Sequence, residues 1–152
     1  MSKITDVFNN LVTFVGGELS DHTRLNDPYN IEENPEMLLR KGWGIQIDDG
    51  VDTNRCISPE YYLGRTFTIV IVRESVAKDS DPVRRELSKL DLLEDLHILI
   101  AEAVSENTLY EIAVNFKYIS DGGLQEVFVQ DKPYNFIEAN FLVEYSQTIP
   151  GA

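Results

Sequence analysis

The side chains able to do chemistry in this chain are few and scattered. Cys56 is the only cysteine, and His22 and His97 are the only histidines. A thiol nucleophile needs a base to draw off its proton, and no histidine neighbours Cys56 in sequence. Neither histidine has a second imidazole or thiolate at the short spacing a zinc site uses. His97 falls at the edge of an apolar run, where a packed or hydrogen-bonded imidazole is the expected role. The stretch Asp48-Asp49-Gly50-Val51-Asp52-Thr53-Asn54 sets side-chain oxygens at alternate positions, as a calcium loop does. An EF-hand loop ends in a bidentate glutamate, but the twelfth position counted from Asp48 is Pro59. A solvated acidic turn is the expected role. Glycine patterns that cradle phosphates are absent, since Gly42-Trp43-Gly44 precedes a strand rather than a helix. Acids are spread so widely that no pair is marked out for hydrolysis. The expectation is a non-enzymatic protein with no metal and no cofactor.

Composition narrows the class further. The 152 residues suit one domain, 1–152, with 43% hydrophobic and 10% aromatic side chains, as in a globular protein. Met1–Asn10 has one lysine and no continuous apolar core, so no signal peptide is expected there. No stretch has the apolar length of a membrane helix. A lone cysteine excludes an intramolecular disulfide and fits a reducing compartment. With 26 acidic against 13 basic residues the formal charge is −13. Tight nucleic-acid binding needs a basic patch that releases counterions, and the one short basic cluster is Arg84-Arg85 with Lys89. Such a surface repels a polyanion.

The elements that must position these residues follow from periodicity. Ile4, Val7, Phe8, Leu11, Val12 and Val15 recur at helical spacing, and Gly16-Gly17 is expected to end that helix, 1–17. A connector, 18–42, is broken at Asp27-Pro28 and Asn34-Pro35, with one or two helical turns expected over Glu36–Lys41. The core, 43–149, opens with a strand ending at Asp48 and continues in Arg65–Glu74, apolar on both faces and hence central. Asp81-Pro82 starts a helix to about Ser105, whose apolar arc is too wide for one sheet to cover. The first helix or a neighbouring subunit is expected to cover the remainder. Strands are expected at Glu111–Ile119, at Leu124–Gln130 after a hairpin turn Asp121-Gly122-Gly123, and at Tyr134–Ile149. The order predicts an α+β fold: a mostly antiparallel sheet of four to five strands with helices on one face.

One feature has no catalytic reading. The acidic link 48–64 is far longer than a strand reversal needs. It carries Asp48, Asp49, Asp52, Asn54, Arg55, Tyr61 and Tyr62, with tyrosines of the kind enriched at interfaces. With the wide helix arc and a final strand long enough for strand addition, it points to a homo-oligomer in which these seven residues meet a neighbour.

The stretches GIQIDDGVDTNRCISPEYYLGRTFTIVIVRE, LDLLEDLHILIAEAV and FIEANFLVEYSQTI resemble, in order and texture, the tail terminator (tail completion) proteins of long-tailed bacteriophages. The likeness spans roughly residues 43–149; the developed 18–42 connector departs from it. The resemblance implies a structural subunit forming a hexameric ring that caps the head-proximal end of the tail tube and ends its polymerisation. It also implies the tail tube protein and the head-tail connector or neck proteins as partners, and a channel that passes DNA without holding it. The expected location is the tail-neck region of the virion, assembled in host cytoplasm and away from membranes. Other readings are a different neck ring protein (a connector or stopper), a tail tube subunit, or a small acidic ligand-binding or hydrolytic enzyme with a pocket of convergent polar groups.

Overall fold

The computed structural model describes residues 3–25, 41–47, 53–57, 60–74, 82–105, 107–129 and 132–148. Its elements run α1 (Lys3–Glu18), β1 (Thr23–Arg24), β2 (Lys41–Ile47), β3 (Thr53–Ile57), β4 (Glu60–Glu74), α2 (Pro82–Val104), β5 (Asn115–Asp121), β6 (Gln125–Val129) and β7 (Lys132–Thr148). The expected α+β class is what the chain adopts.

Two long strands form the spine. β4 and β7 are antiparallel and stay in register from Glu60↔Thr148 to Glu74↔Tyr134. A strand of 15 residues extends roughly 50 Å at the usual rise. Each spine strand is the second arm of a long hairpin. β2 and then β3 line the outer edge of β4, the latter closing at Ile57↔Glu60. β5 and then β6 line the outer edge of β7, the latter closing at Val129↔Lys132. The β5–β6 arm is interrupted at 122–124. Among the described residues the sheet has seven strands, the first only two residues long and the only one paired in parallel.

Register assigns the faces. Phe67, Ile69 and Ile71 of β4 stand opposite Phe141, Ala139 and Ile137 of β7, and all six are buried under the helices. From α1 the buried set is Val7, Leu11, Phe14 and Val15; from α2 it is Leu92, Leu96, Leu99 and Ala103. Aromatic contacts run across this layer, Phe14 edge-on to Phe116 at 5.6 Å and Phe116 stacked on Phe141 at 5.3 Å. Each such pair adds about 0.5–1.5 kcal/mol beyond area burial. On the opposite face a smaller cluster joins Leu25, Val70, Val72 and Tyr134.

Several expectations need correction. The sheet has more than four to five strands because Thr23–Arg24 forms β1 and Thr53–Ile57 of the link forms β3; β4 begins at Glu60 rather than Arg65. Arg55 and Tyr62 alone would not signal a strand; backbone pairing supplied by β7 along the whole of β4 does. Asp121-Gly122-Gly123 is not a hairpin turn, since β5 and β6 run the same way along β7. Gly123, at φ 77°, interrupts that arm instead. The helix α1 ends at Glu18, one residue past the expected Gly16-Gly17 stop. β5 starts at Asn115 because Leu109, Tyr110 and Glu111 take left-handed φ of 49°, 62° and 69°. Asn107 Oδ1 accepts from the Leu109 amide, and Thr108 Oγ1 from that of Glu111. On α2, Leu93 and Ile100 pack on the core cluster while Leu87, Leu90, Ile98 and Val104 stay exposed. Of the helical turns expected over 36–41, Lys41 instead opens β2; residues 36–40 and the Asp81 cap lie outside the described residues, as do Asp48, Asp49 and Asp52.

Phe141 touches both Phe116 and Tyr118 and is fully buried. Phe141→Ala should lower unfolding free energy by about 3–5 kcal/mol in urea denaturation. Phe128→Ala, at a side chain 67% exposed, should change it by less than about 0.5 kcal/mol.

Candidate functional site

Pairing places four of the seven expected interface residues in one hairpin. Asn54 stands opposite Leu63, Arg55 opposite Tyr62, and Tyr61 opposite Cys56. Tyr61 and Tyr62 are consecutive on a strand and so project to opposite faces; they do not form one patch. Tyr61 and Arg65 both act on Tyr145, whose hydroxyl is pushed above its usual range mainly by burial, against the pull of Arg65. Beyond β4, Tyr61 and Tyr62 pair with Gln147 and Ser146 of β7. The result is a three-stranded tip, β3–β4–β7, in which β3 packs chiefly on β4.

A buried polar cluster sits at the other end of the helix-covered face. His22 follows α1, Arg73 ends β4, and Asp95 lies on the sheet side of α2. Asp95 Oδ2 lies 3.0 Å from His22 Nε2 and accepts from Arg73 Nη2 at 3.1 Å. The His22 and Asp95 side chains are 4% and 11% exposed. A carboxylate only accepts, so the hydrogen between them is carried by His22 Nε2. Asn135, opposite Arg73 on β7, is 1% exposed. Among the described residues, His22 Nδ1, Arg73 Nε and Asn135 Nδ2 have no hydrogen-bond partner. The cluster ties the end of α1, the centre of α2 and the end of β4 through one oxygen.

No local pattern marks this cluster in the sequence. His22 and Asp95 are 73 positions apart, and an isolated histidine in a connector has no motif. His97, expected to be packed or bonded, is exposed on α2. A cleft of about 300 Å³ opens between the end of α2 and β5, lined by Asn107, Thr108, Asn115 and Lys117 among others. Its amides are committed: Asn107 donates to Glu102 and Asn115 to Glu144. Beside it, the Tyr118 hydroxyl donates to Asp121, which pushes its pKa up to about 12. Among the described residues no group of three or more His, Cys, Asp or Glu is placed to hold a metal. Nor, among the described residues, is any helix long and apolar enough to cross a membrane. No protein-family model and no curated protein matches the chain.

Burial alone would raise the Asp95 pKa; hydrogen bonds and charge from His22 and Arg73 outweigh it and hold it below the ordinary 3.8. A depressed carboxylate stabilises the fold fully above its unfolded-state pKa, and the contribution fades as pH falls through the folded-state value. Unfolding free energy should therefore drop as pH falls below about 3.8, and this extra loss should vanish in Asp95→Ala. At neutral pH that variant should be less stable by about 3 kcal/mol, because Arg73 keeps a partly buried charge without its partner.

Proposed function

We propose that this chain is a structural subunit of a long-tailed phage, forming a ring that caps the head-proximal end of the tail tube, ends tube polymerisation and joins the tail to the head connector. One observation carries the reading: the sheet is open. Among the described residues, neither β3 nor β5 nor β6 has a strand beyond it. Ile47, Ile119 and Phe128 stand 59%, 52% and 67% exposed on these flanks. Long unpaired edges invite pairing with another chain unless they are blunted or covered, and exposed apolar side chains mark contact surfaces. The charge of −13 suits a channel that passes DNA without gripping it. The sequence likeness over residues 43–149 supplies the particular ring. On this reading the partners are copies of itself in a hexamer, the tail tube protein and the neck proteins; the site of action is the tail-neck region of the virion, and no catalysis or cofactor is involved.

Strand content favours a tail tube subunit as the second reading, because the sheet is larger than the sequence suggested. Electron microscopy of tails assembled with and without the protein separates the two. Uncontrolled tube length in its absence supports the cap; absence of any tube supports the subunit. Ile47 and Phe67 are register partners, so joining them through Asn-Gly, a two-residue hairpin turn, deletes the tip and keeps the helix-covered core. This variant should remain folded by circular dichroism yet leave tubes uncapped. Normal capping by it would remove the tip from the mechanism.

A further inference from the structure

The two flanks of the sheet fit each other. On one side β2 and β3 run antiparallel to β4; on the other β5 and β6 run antiparallel to β7. β1 pairs with β2 at Gly42 and Trp43, and the next residue, Leu25, donates to the Trp43 carbonyl, leaving Ile45–Ile47 with no strand beyond it among the described residues. Across β3, β4, β7 and β5 the strand direction alternates. A following copy in the same orientation would therefore set its β3 antiparallel to this β5, which is the stronger pairing.

We propose that copies of this chain join edge to edge, the β2–β3 flank of one against the β5–β6 flank of the next, displaced by six residues along the strands. The inference rests on the ring reading and supplies its contact. Position along β7 serves as the ruler. Through Tyr62, Arg55 is level with Ser146, and Ser120 is level with Asn140. A displacement of six sets Arg55 opposite Ser120, Cys56 opposite Tyr118 and Ile57 opposite Lys117. The same displacement sets Ile45, level through Ile69 with Ala139, opposite Phe128, which pairs with Pro133. Ile47 then meets Glu126. Both flanks are used at once.

Other displacements fail for stated reasons. Any odd number turns inward side chains outward. Four sets Arg55 against Lys117, a like-charge pair, and drives β6 onto Gly42 and Trp43, where β1 already sits. Eight pushes Arg55 to Gly122, which is level with Glu138, and β3 into the break at 122–124. Six residues over four strands is roughly 20 Å against roughly 19 Å. That is a tilt of roughly 45°, at the steep end of the range that strands adopt when a sheet closes on itself. Charge agrees: copies at −13 repel, and β3 holds Arg55 and no acid.

Paired cysteines test the register. In a Cys56→Ser background, Ile47→Cys with Glu126→Cys alters two exposed positions on opposite flanks, roughly 14 Å or more apart within one chain and beyond disulfide reach. Ile57→Cys with Lys117→Cys is a second matched pair. Ile47→Cys with Lys117→Cys is a mismatch by roughly 23 Å. Under oxidation, both matched pairs should shift most of the protein into a ladder past dimer on non-reducing gels, and the mismatch should stay monomeric. Rings visible by electron microscopy without matched links would overturn this contact and leave the ring reading standing. Unlinked monomers throughout would overturn the contact and count against rings. A ladder from the mismatch alone would overturn the register.

Discussion

The pairing of β4 with β7 is the constraint from which the rest of the molecule follows. Fifteen consecutive register partners, from Glu60↔Thr148 to Glu74↔Tyr134, fix which side chains look toward the helices and which look away. A slip of one residue would turn Phe67, Ile69 and Phe141 out of the core. Because the partners are aromatic or branched apolar side chains on the covered face, the register is held by packing as well as by main-chain bonds. The helices have no comparable hold on each other; they are positioned by what the two spine strands present.

The polar cluster is the second fixed point, and it works differently. Apolar burial is non-directional, so it does not by itself set where α1 ends relative to α2. His22, Arg73 and Asp95 add direction, since one carboxylate oxygen serves two donors from two other elements. Ser88, donating to the Glu74 carbonyl at 3.0 Å, holds the same end of β4 to the first half of α2. The fold is thus closed by hydrogen bonds at the end where the helices meet the sheet, while among the described residues no further strand covers its flanks.

How much of this was legible varies with the range of the forces involved. The two helices and the spine strands could be read because their periodicity is local: Val7, Leu11 and Val15 on one, Phe67, Ile69 and Ile71 on the other. β3 was not legible, since TNRCI has no alternation, and it becomes a strand only because β4 continues beside it. Glycines served once and misled once. Gly16-Gly17 marked the end of α1 to within a residue, whereas Asp121-Gly122-Gly123 has the residues of a turn but breaks an arm that stays on course along β7. The cluster around Asp95 was invisible for the same reason that it stabilises: it joins residues that only the finished topology brings together.

The separation of the two spine strands along the chain also bears on how the molecule is made. Tyr134 must find Glu74 across an intervening helix and a whole second hairpin. Contacts of such long range close loops before they gain packing, and proteins dominated by them fold slowly. Each hairpin can form locally, so docking of one on the other is the expected late step. During synthesis the first hairpin emerges well before its mate, with the apolar side of β4 uncovered. In that interval the nascent chain depends on α1 and α2, or on a chaperone, to keep it from aggregating.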